Sequence, residues 1–199
     1  MDDTPLPKRV DSSTVVNGRS DQVFPLLETP YALQKWVTFL RQVQRAEGSG
    51  LGAQDLCQFR IGGMDFWAVA EVDVYEKSVR IGRTSVEGKM MMRSEFHLVP
   101  EGSNTRVRWA VSYRPPMGSL GSLLDVLIMR RAIRKGMTAS LEGLRGLVES
   151  GSESSLQAAL SDPCQASATG TLPEFVDDSV SGIRSLSDQV RQTGVRYEA

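Results

Sequence analysis

The stretch FWAVAEVDVY, residues 66–75, alternates apolar side chains with a second set that includes acidic residues. The apolar set is Phe66, Ala68, Ala70, Val72 and Val74. The other set is Trp67, Val69, Glu71, Asp73 and Tyr75. A strand points successive side chains to opposite faces of its sheet, so this period of two indicates one buried face and one wet face. The stretch therefore predicts a long β-strand with small alanines on its inner face.

Strand patterns also lie on both sides of this stretch. The runs are 13–17, 57–61, 79–81, 90–98 and 107–113. The segments between them carry turn residues, as in Gly62-Gly63, Glu87-Gly88 and Glu101-Gly102-Ser103-Asn104. Because these connections are short, they favour an antiparallel meander.

Helical spacing flanks the strand region. A first short helix is expected after Gly18, with Val23, Phe24, Leu26 and Leu27 as its apolar face. A second short helix follows Pro30 and is expected to carry Leu33, Trp36, Val37 and Leu40. After Pro115-Pro116 the pattern predicts one long helix from about Leu120 to Glu149. Its apolar stripe is Val126, Met129, Ile133, Met137, Leu141, Leu144 and Val148.

These elements predict an α+β fold in which a curved antiparallel sheet of about six to seven strands wraps around a long C-terminal helix. Two short helices follow the first strand. Residues 1–11 are expected to be a leader and 12–149 the folded domain. Residues 150–172, rich in Ser, Gly and Ala, are expected to be a flexible linker. Residues 173–199 form an amphipathic C-terminal segment.

Composition excludes several classes of protein. The net charge is −1, so general nucleic-acid binding is not expected. Cys57 and Cys164 match no metal or redox spacing, and His97 is the only histidine, so neither a metal site nor another cofactor is predicted. No signal peptide and no membrane span of roughly 20 apolar residues is recognised, which predicts a cytoplasmic protein.

At family level the chain resembles the START-like, or SRPBCC, superfamily of helix-grip proteins, and within it the polyketide cyclase/dehydrase group. The likeness spans about residues 12–149. The matching pieces are Ser13-Thr14-Val15-Val16-Asn17-Gly18, Asp21-Gln22-Val23-Phe24, Trp36-Val37-Thr38-Phe39-Leu40, Ser78-Val79-Arg80, Thr105-Arg106-Val107-Arg108-Trp109 and Leu141-Glu142-Gly143-Leu144. The resemblance implies a ligand-binding cavity between sheet and helix, and it implies that Trp36, Phe96 and Trp109 line it.

The predicted inner face is rich in aromatic and methionine side chains, which suit a flat apolar ligand as well as an ordinary core. The predicted ligand-binding residues are Trp36, Phe59, Met92, Phe96, Trp109, Met129, Ile133 and Met137. Three polar residues on this face are the candidate catalytic groups. Arg83 would hold an oxyanion, and Tyr113 or Ser94 would relay a proton during ring closure.

Three functions stay open, and one of them is an interaction protein whose cavity is vestigial and whose C-terminal segment, residues 173–199, does the work; the other two use the cavity. One is an aromatase/cyclase-like protein that promotes cyclisation or dehydration of a bound polyketide. The other is a non-catalytic carrier of a lipid, quinone or similar molecule. Aromatase/cyclases tend to carry Ser and Arg on the strand equivalent to 66–74, where this chain has Ala and Val. Arg130, Arg131, Arg134 and Lys135 are either a solvated helix face or a docking patch for an acyl carrier protein or an acidic membrane surface.

Overall fold

The described strands form one antiparallel sheet. The computed structural model describes residues 8–114 and 122–150, with helix side chains after the second gap described from residue 127 onward. The described strands are β1 (Lys8–Val16), β2 (Leu40–Glu47), β3 (Gln54–Ile61), β4 (Met64–Glu76), β5 (Arg80–Gly88), β6 (Met92–Glu101) and β7 (Asn104–Tyr113). Their order across the sheet is β1-β7-β6-β5-β4-β3-β2. Strands β2 to β7 therefore pair in chain order, and β1 pairs with β7 at one edge of the sheet.

Three helices are described: α1 (Ser20–Glu28), α2 (Pro30–Trp36) and α3 (Ser122–Glu149). The apolar stripe of α3 joins the inner faces of the strands in a single core cluster from Met129 to Val148, and the side chain of Val126 lies outside the described residues. Met137 and Leu144 on this stripe have no exposed surface. Two short helices after strand 1 and a long helix gripped by a seven-stranded sheet confirm the predicted helix-grip architecture.

The junction between α2 and β2 differs from the prediction. The second helix was expected to reach Leu40, but α2 ends at Trp36, and Leu40 is the first residue of β2. Val37 already has extended backbone angles, which ends the helix. The strand itself was missed because its burial departs from strict alternation: Leu40 and Val43 are its buried residues, and its pairing with β3 shifts register twice.

Strand ends also differ in detail. β1 begins at Lys8, so the sheet extends into the stretch expected to be a leader.

A register shift between Val72 and Val74 changes the alternation of β4, because it leaves Tyr75 opposite Ile81 and in edge-to-face contact with Phe24 on α1. Tyr75, which was predicted on the wet face, therefore packs partly against the core.

Glycine lets α3 approach the α2–β2 junction closely. A Cβ on Gly136 would lie 2.7 Å from the ring of Phe39, closer than a side chain can come without movement of the ring. The Thr38 backbone N–H donates to the Ser140 hydroxyl at 2.9 Å, which ties the junction to the buried side of α3. This contact sets the position of Trp36 and Phe39 relative to the helix.

No helix in the described part of the chain is long and apolar enough to cross a membrane. Residues 1–7 of the expected leader, residues 151–172 of the expected linker and the whole amphipathic segment 173–199 lie outside the described residues.

Candidate functional site

An aromatic cluster lies on the inner face of the sheet. Trp109 on β7 stacks against Phe96 on β6, with ring centroids 4.9 Å apart, and against Phe39 at 5.6 Å. Trp36 at the end of α2 meets Phe96 and Trp109 edge-on, at 5.7 and 5.9 Å. Phe39 also contacts Phe59 on β3, at 6.4 Å. Edge-to-face and offset contacts at these separations are the favourable arrangements for aromatic rings.

The predicted apolar lining residues belong to one cluster. Trp36, Phe59, Phe96, Trp109, Met129, Ile133 and Met137 are buried members of the core, and Met92 packs against it while half-buried. Their contact with a ligand stays a prediction. Phe39 was missed as a member because it precedes β2 and belongs to no alternating run. Its place in the segment Trp36-Val37-Thr38-Phe39-Leu40 is the sequence signal that marks it.

Both buried tryptophans of the cluster use their indole N–H groups. Trp36 Nε1 donates to the Leu26 carbonyl at 3.0 Å. Trp109 Nε1 donates to the Ser94 hydroxyl oxygen at 2.8 Å. Ser94 therefore lies beside the aromatic cluster, as predicted, and its oxygen accepts one bond. A hydroxyl group that accepts a bond still has its own proton to donate.

Tyr113 is a deeply buried polar residue of this face. It lies on the same face of β7 as Trp109, opposite Lys8 of β1 and Met92 of β6. Its side chain is 1% exposed, and its hydroxyl group has no hydrogen-bond partner among the described residues. Burial raises the pKa of this phenol above its ordinary value, although the charge of Arg130 opposes the shift. The hydroxyl group therefore keeps its proton at physiological pH, and none of the described residues accepts a hydrogen bond from it.

Arg83 faces inward, as predicted, but its guanidinium group is already engaged. Its Nε lies 3.3 Å from Asp55 Oδ2, and its Nη2 donates to the Glu28 carbonyl oxygen at 2.8 Å. The other oxygen of Asp55 lies 2.6 Å from Nε of Arg45. The three side chains form an ionic network, buried at Asp55 and Arg83 and half-buried at Arg45, that joins β2, β3 and β5 to the end of α1. Arg83 is thus less free to receive a ligand oxyanion than its position alone suggested.

Asp55 is the polar residue that sequence reasoning missed. It is completely buried, and burial raises the pKa of its carboxyl group, whereas the charges of Arg83 and Arg45 lower it. For Arg83, burial lowers the pKa and Asp55 opposes that change. The signal was present in the sequence: Asp55 continues the inward alternation of Cys57 and Phe59 by one more step. An inward carboxylate then requires a cation, and Arg83 was available.

The other titratable candidates offer little chemistry. Burial raises the pKa of the Cys57 thiol to about 12, so the thiolate form is scarce. His97 is exposed on the outer face of β6. Within residues 8–114 and 122–150, no group of three or more His, Cys, Asp or Glu side chains is placed to hold a metal ion.

The same fold occurs in solved structures of low sequence identity. A protein of Thermus thermophilus is 18% identical and superimposes with a TM-score of 0.63 over 77% of this chain and 100% of its own. The Zhui aromatase/cyclase from Streptomyces sp. R1128 is 14% identical, with a TM-score of 0.63 over 72% of this chain and 94% of its own. A START superfamily protein from Mycobacterium smegmatis is 13% identical, with a TM-score of 0.60 over 72% of this chain and 99% of its own.

Sequence comparison gives the family. No curated protein matches the chain. The model of the family described as polyketide cyclase/dehydrase and lipid transport matches residues 7–149, which includes every described strand and helix from β1 to α3. This range agrees with the span of the resemblance noted in the sequence, and the fold is one that binds hydrophobic ligands. The chain therefore belongs to the polyketide cyclase/dehydrase and lipid transport family.

Proposed function

We propose that this protein binds an aromatic or polyketide-like molecule between the sheet and α3 and promotes its cyclisation or dehydration. The observation that carries the proposal is the buried hydroxyl group of Tyr113, which has no hydrogen-bond partner among the described residues and lies on the face of β7 that also holds Trp109. Leaving such a group unpaired costs about 1–3 kcal/mol. A carbonyl or hydroxyl oxygen of a bound ligand would accept its hydrogen bond, while the aromatic cluster packs on the ligand rings.

Ring closure of a polyketide develops negative charge on a carbonyl oxygen as the enolate forms. A donor aimed at that oxygen stabilises the charge in a water-poor site. We assign this role to Tyr113, because its buried hydroxyl group lies on the face of Trp109 and has a proton that no described residue accepts. Ser94, whose oxygen is already oriented by Trp109, is the second hydroxyl group that would pass a proton to or from the ligand.

Arg83 takes a supporting part in this proposal. It lies opposite Ser94 on the neighbouring strand, and its contacts with Asp55 and the end of α1 hold it there. Its charge favours an anionic ligand oxygen nearby. We therefore assign Arg83 to positioning, through the ionic network, and leave direct hydrogen bonding to the two hydroxyl groups.

A non-catalytic carrier is the second candidate, and one observation favours it. Arg83 and Ser94 both have protein partners, so Tyr113 is the one candidate catalytic group whose hydroxyl lacks a partner in the described part of the chain. A single donor in an apolar interior is sufficient to orient a ligand. Aldol chemistry requires more than one donor, because a proton has to be removed and an oxyanion has to be stabilised. A single free hydroxyl group therefore fits a carrier as well as a cyclase.

The first test identifies the ligand. Native mass spectrometry of the full chain purified from its own host would detect a retained molecule, and denaturation would release it for identification. An aromatic polyketide or its linear precursor supports the cyclisation proposal. A retained lipid or quinone supports the carrier.

The second test separates binding from turnover with Tyr113→Phe, which removes only the hydroxyl group. Loss of one hydrogen bond predicts roughly fivefold to tenfold weaker binding of the retained molecule. If the protein is a cyclase, loss of an oxyanion donor predicts a fall in cyclisation rate of about a hundredfold or more. Ser112→Ala, on the opposite face of β7, is the matched control. Unchanged binding and unchanged products in Tyr113→Phe would remove the proposed role.

A further inference from the structure

Three elements meet at the end of the sheet where β7 finishes. The Arg114 backbone N–H donates to the Met91 carbonyl at 3.1 Å, which joins the end of β7 to the β5–β6 turn. A Cβ on Gly62 would lie 3.9 Å from both Ile128 and Ala132, so the β3–β4 turn lies against the first half of α3. Tyr113 lies at this same end. We name this surface the β7 end.

The β7 end exposes large apolar side chains. Met64 beside the β3–β4 turn is 46% exposed, and Met91 in the β5–β6 turn is 47% exposed. Leu127 and Ile128 on α3 are 59% and 49% exposed. These are four of the seven large hydrophobic residues that are prominently exposed in the described part of the chain. Their concentration at one end, on three different elements, is typical of an interaction surface.

Cations surround these apolar side chains. The exposed basic residues of the β7 end for which the described part of the chain shows no ion pair are Lys8, Arg41, Lys89, Arg114, Arg130, Arg131, Arg134 and Lys135. Among the described residues, the exposed carboxylates nearby are neutralised, since Asp11 pairs with Arg9 and Asp65 pairs with Arg60. Glu87, which is half-buried, adds one negative charge at the end of β5. The surface is therefore strongly positive although the whole chain is close to neutral.

We propose that the β7 end docks on an anionic lipid surface. Its cations would lie at the level of the lipid phosphates, and its four exposed apolar side chains would enter the boundary between headgroups and acyl chains. An acidic protein would use the cations equally well. Lipid is the partner that also accommodates apolar side chains presented by three separate elements. The docking does not depend on chemistry at Tyr113, so an experiment that disproves the proposed function leaves this proposal unaffected.

The test is a flotation assay with the full chain and two kinds of vesicle. One is phosphatidylcholine alone, and the other contains about a third phosphatidylglycerol as the anionic lipid. The expected result is binding to the anionic vesicles only, with weaker binding as salt is raised, because salt screens exposed charges. Absence of binding to the anionic vesicles would overturn the proposal.

Matched variants locate the surface. Arg131→Ser with Arg134→Ser is expected to weaken binding by roughly 25-fold, at about fivefold for each cation removed. Ile128→Ser is expected to weaken it as well, through loss of apolar contact. The controls are Arg106→Ser with Arg145→Ser for charge, and Leu51→Ser in the β2–β3 loop, at the opposite end of the sheet, for apolar exposure. If controls and test variants change binding equally, or if none changes it, another part of the chain binds the lipid and the proposal is wrong.

Discussion

Asp55 illustrates how a single buried charge organises the inner face. Its carboxylate lies between Arg83 and Arg45, and the same Arg83 reaches the carbonyl oxygen at the end of α1. A buried ion pair adds little stability compared with apolar residues of the same shape, but removal of one partner leaves an uncompensated charge. The network therefore matters for the position of Arg83 and α1 more than for net stability.

Removal of this carboxylate gives a stability prediction. We expect Asp55→Ala to lower the free energy of unfolding by about 3–5 kcal/mol, because it leaves Arg83 buried without a counter-ion. Urea unfolding followed by tryptophan fluorescence measures the change. Asp65→Ala, which removes a partner from the exposed Arg60–Asp65 pair, is the control and is expected to leave the unfolding midpoint almost unchanged. Equal midpoints for the wild type and Asp55→Ala would show that the network has no energetic role.

Single residues also show what the sequence reveals and what it does not. Alternation was sufficient to predict that Tyr113, Ser94 and Arg83 face inward. It could not predict that Arg83 is paired, because the partner lies 28 positions away in the chain and comes close only through sheet registry. It also could not predict that the Tyr113 hydroxyl lacks a partner, since that depends on every side chain packed around it.

At the scale of elements, α3 depends on glycine where it crosses the α2–β2 junction. Glycine lowers the stability of a helix interior by roughly 1 kcal/mol relative to alanine. At Gly136 the structure supplies the reason for that choice, because the ring of Phe39 occupies the space of a Cβ. At Gly146 nothing lies within 4 Å of the place that a Cβ would occupy.

The two glycines predict opposite effects of one substitution. We expect Gly146→Ala to raise the free energy of unfolding by about 0.5–1 kcal/mol, through the gain in helix propensity. We expect Gly136→Ala to lower it by about 1–2 kcal/mol, because overpacking against Phe39 outweighs that gain. Thermal unfolding measured by circular dichroism distinguishes them. Stabilisation by both substitutions would mean that Phe39 moves freely and that the junction is loosely packed.

Element types were easier to predict than element ends. The long helix, two short helices and most strands followed from periodicity, because their buried faces repeat regularly. β2 was missed because bulges at Leu40/Gln42 and Arg45/Glu47 break its period of two. The packing of Tyr75 against the core was missed for the same reason. A bulge in β4 reverses the faces of the sheet that strict alternation of residues would assign.

At the scale of the whole molecule, the helix-grip fold brings distant parts of the chain around one interior. α2 contributes Trp36, β6 and β7 contribute Phe96 and Trp109, and α3 contributes Met129 and Met137. The family resemblance found in the sequence covers the same elements, and it is confirmed by the family model. The fold was predictable because the order of elements is distinctive. The ligand was not, since apolar interiors of this kind accommodate many molecules.

The central claim is that Tyr113 donates a hydrogen bond to a ligand held against the aromatic cluster. A crystal structure of the full chain with the molecule it retains tests this most directly; if the protein is purified empty, the aromatic flavonoid naringenin serves as the probe. We predict a ligand ring against Trp109 and Phe96, and a ligand oxygen within about 3 Å of Tyr113 Oη. A ligand bound elsewhere, or a Tyr113 hydroxyl group still without a partner in the complex, would contradict the account.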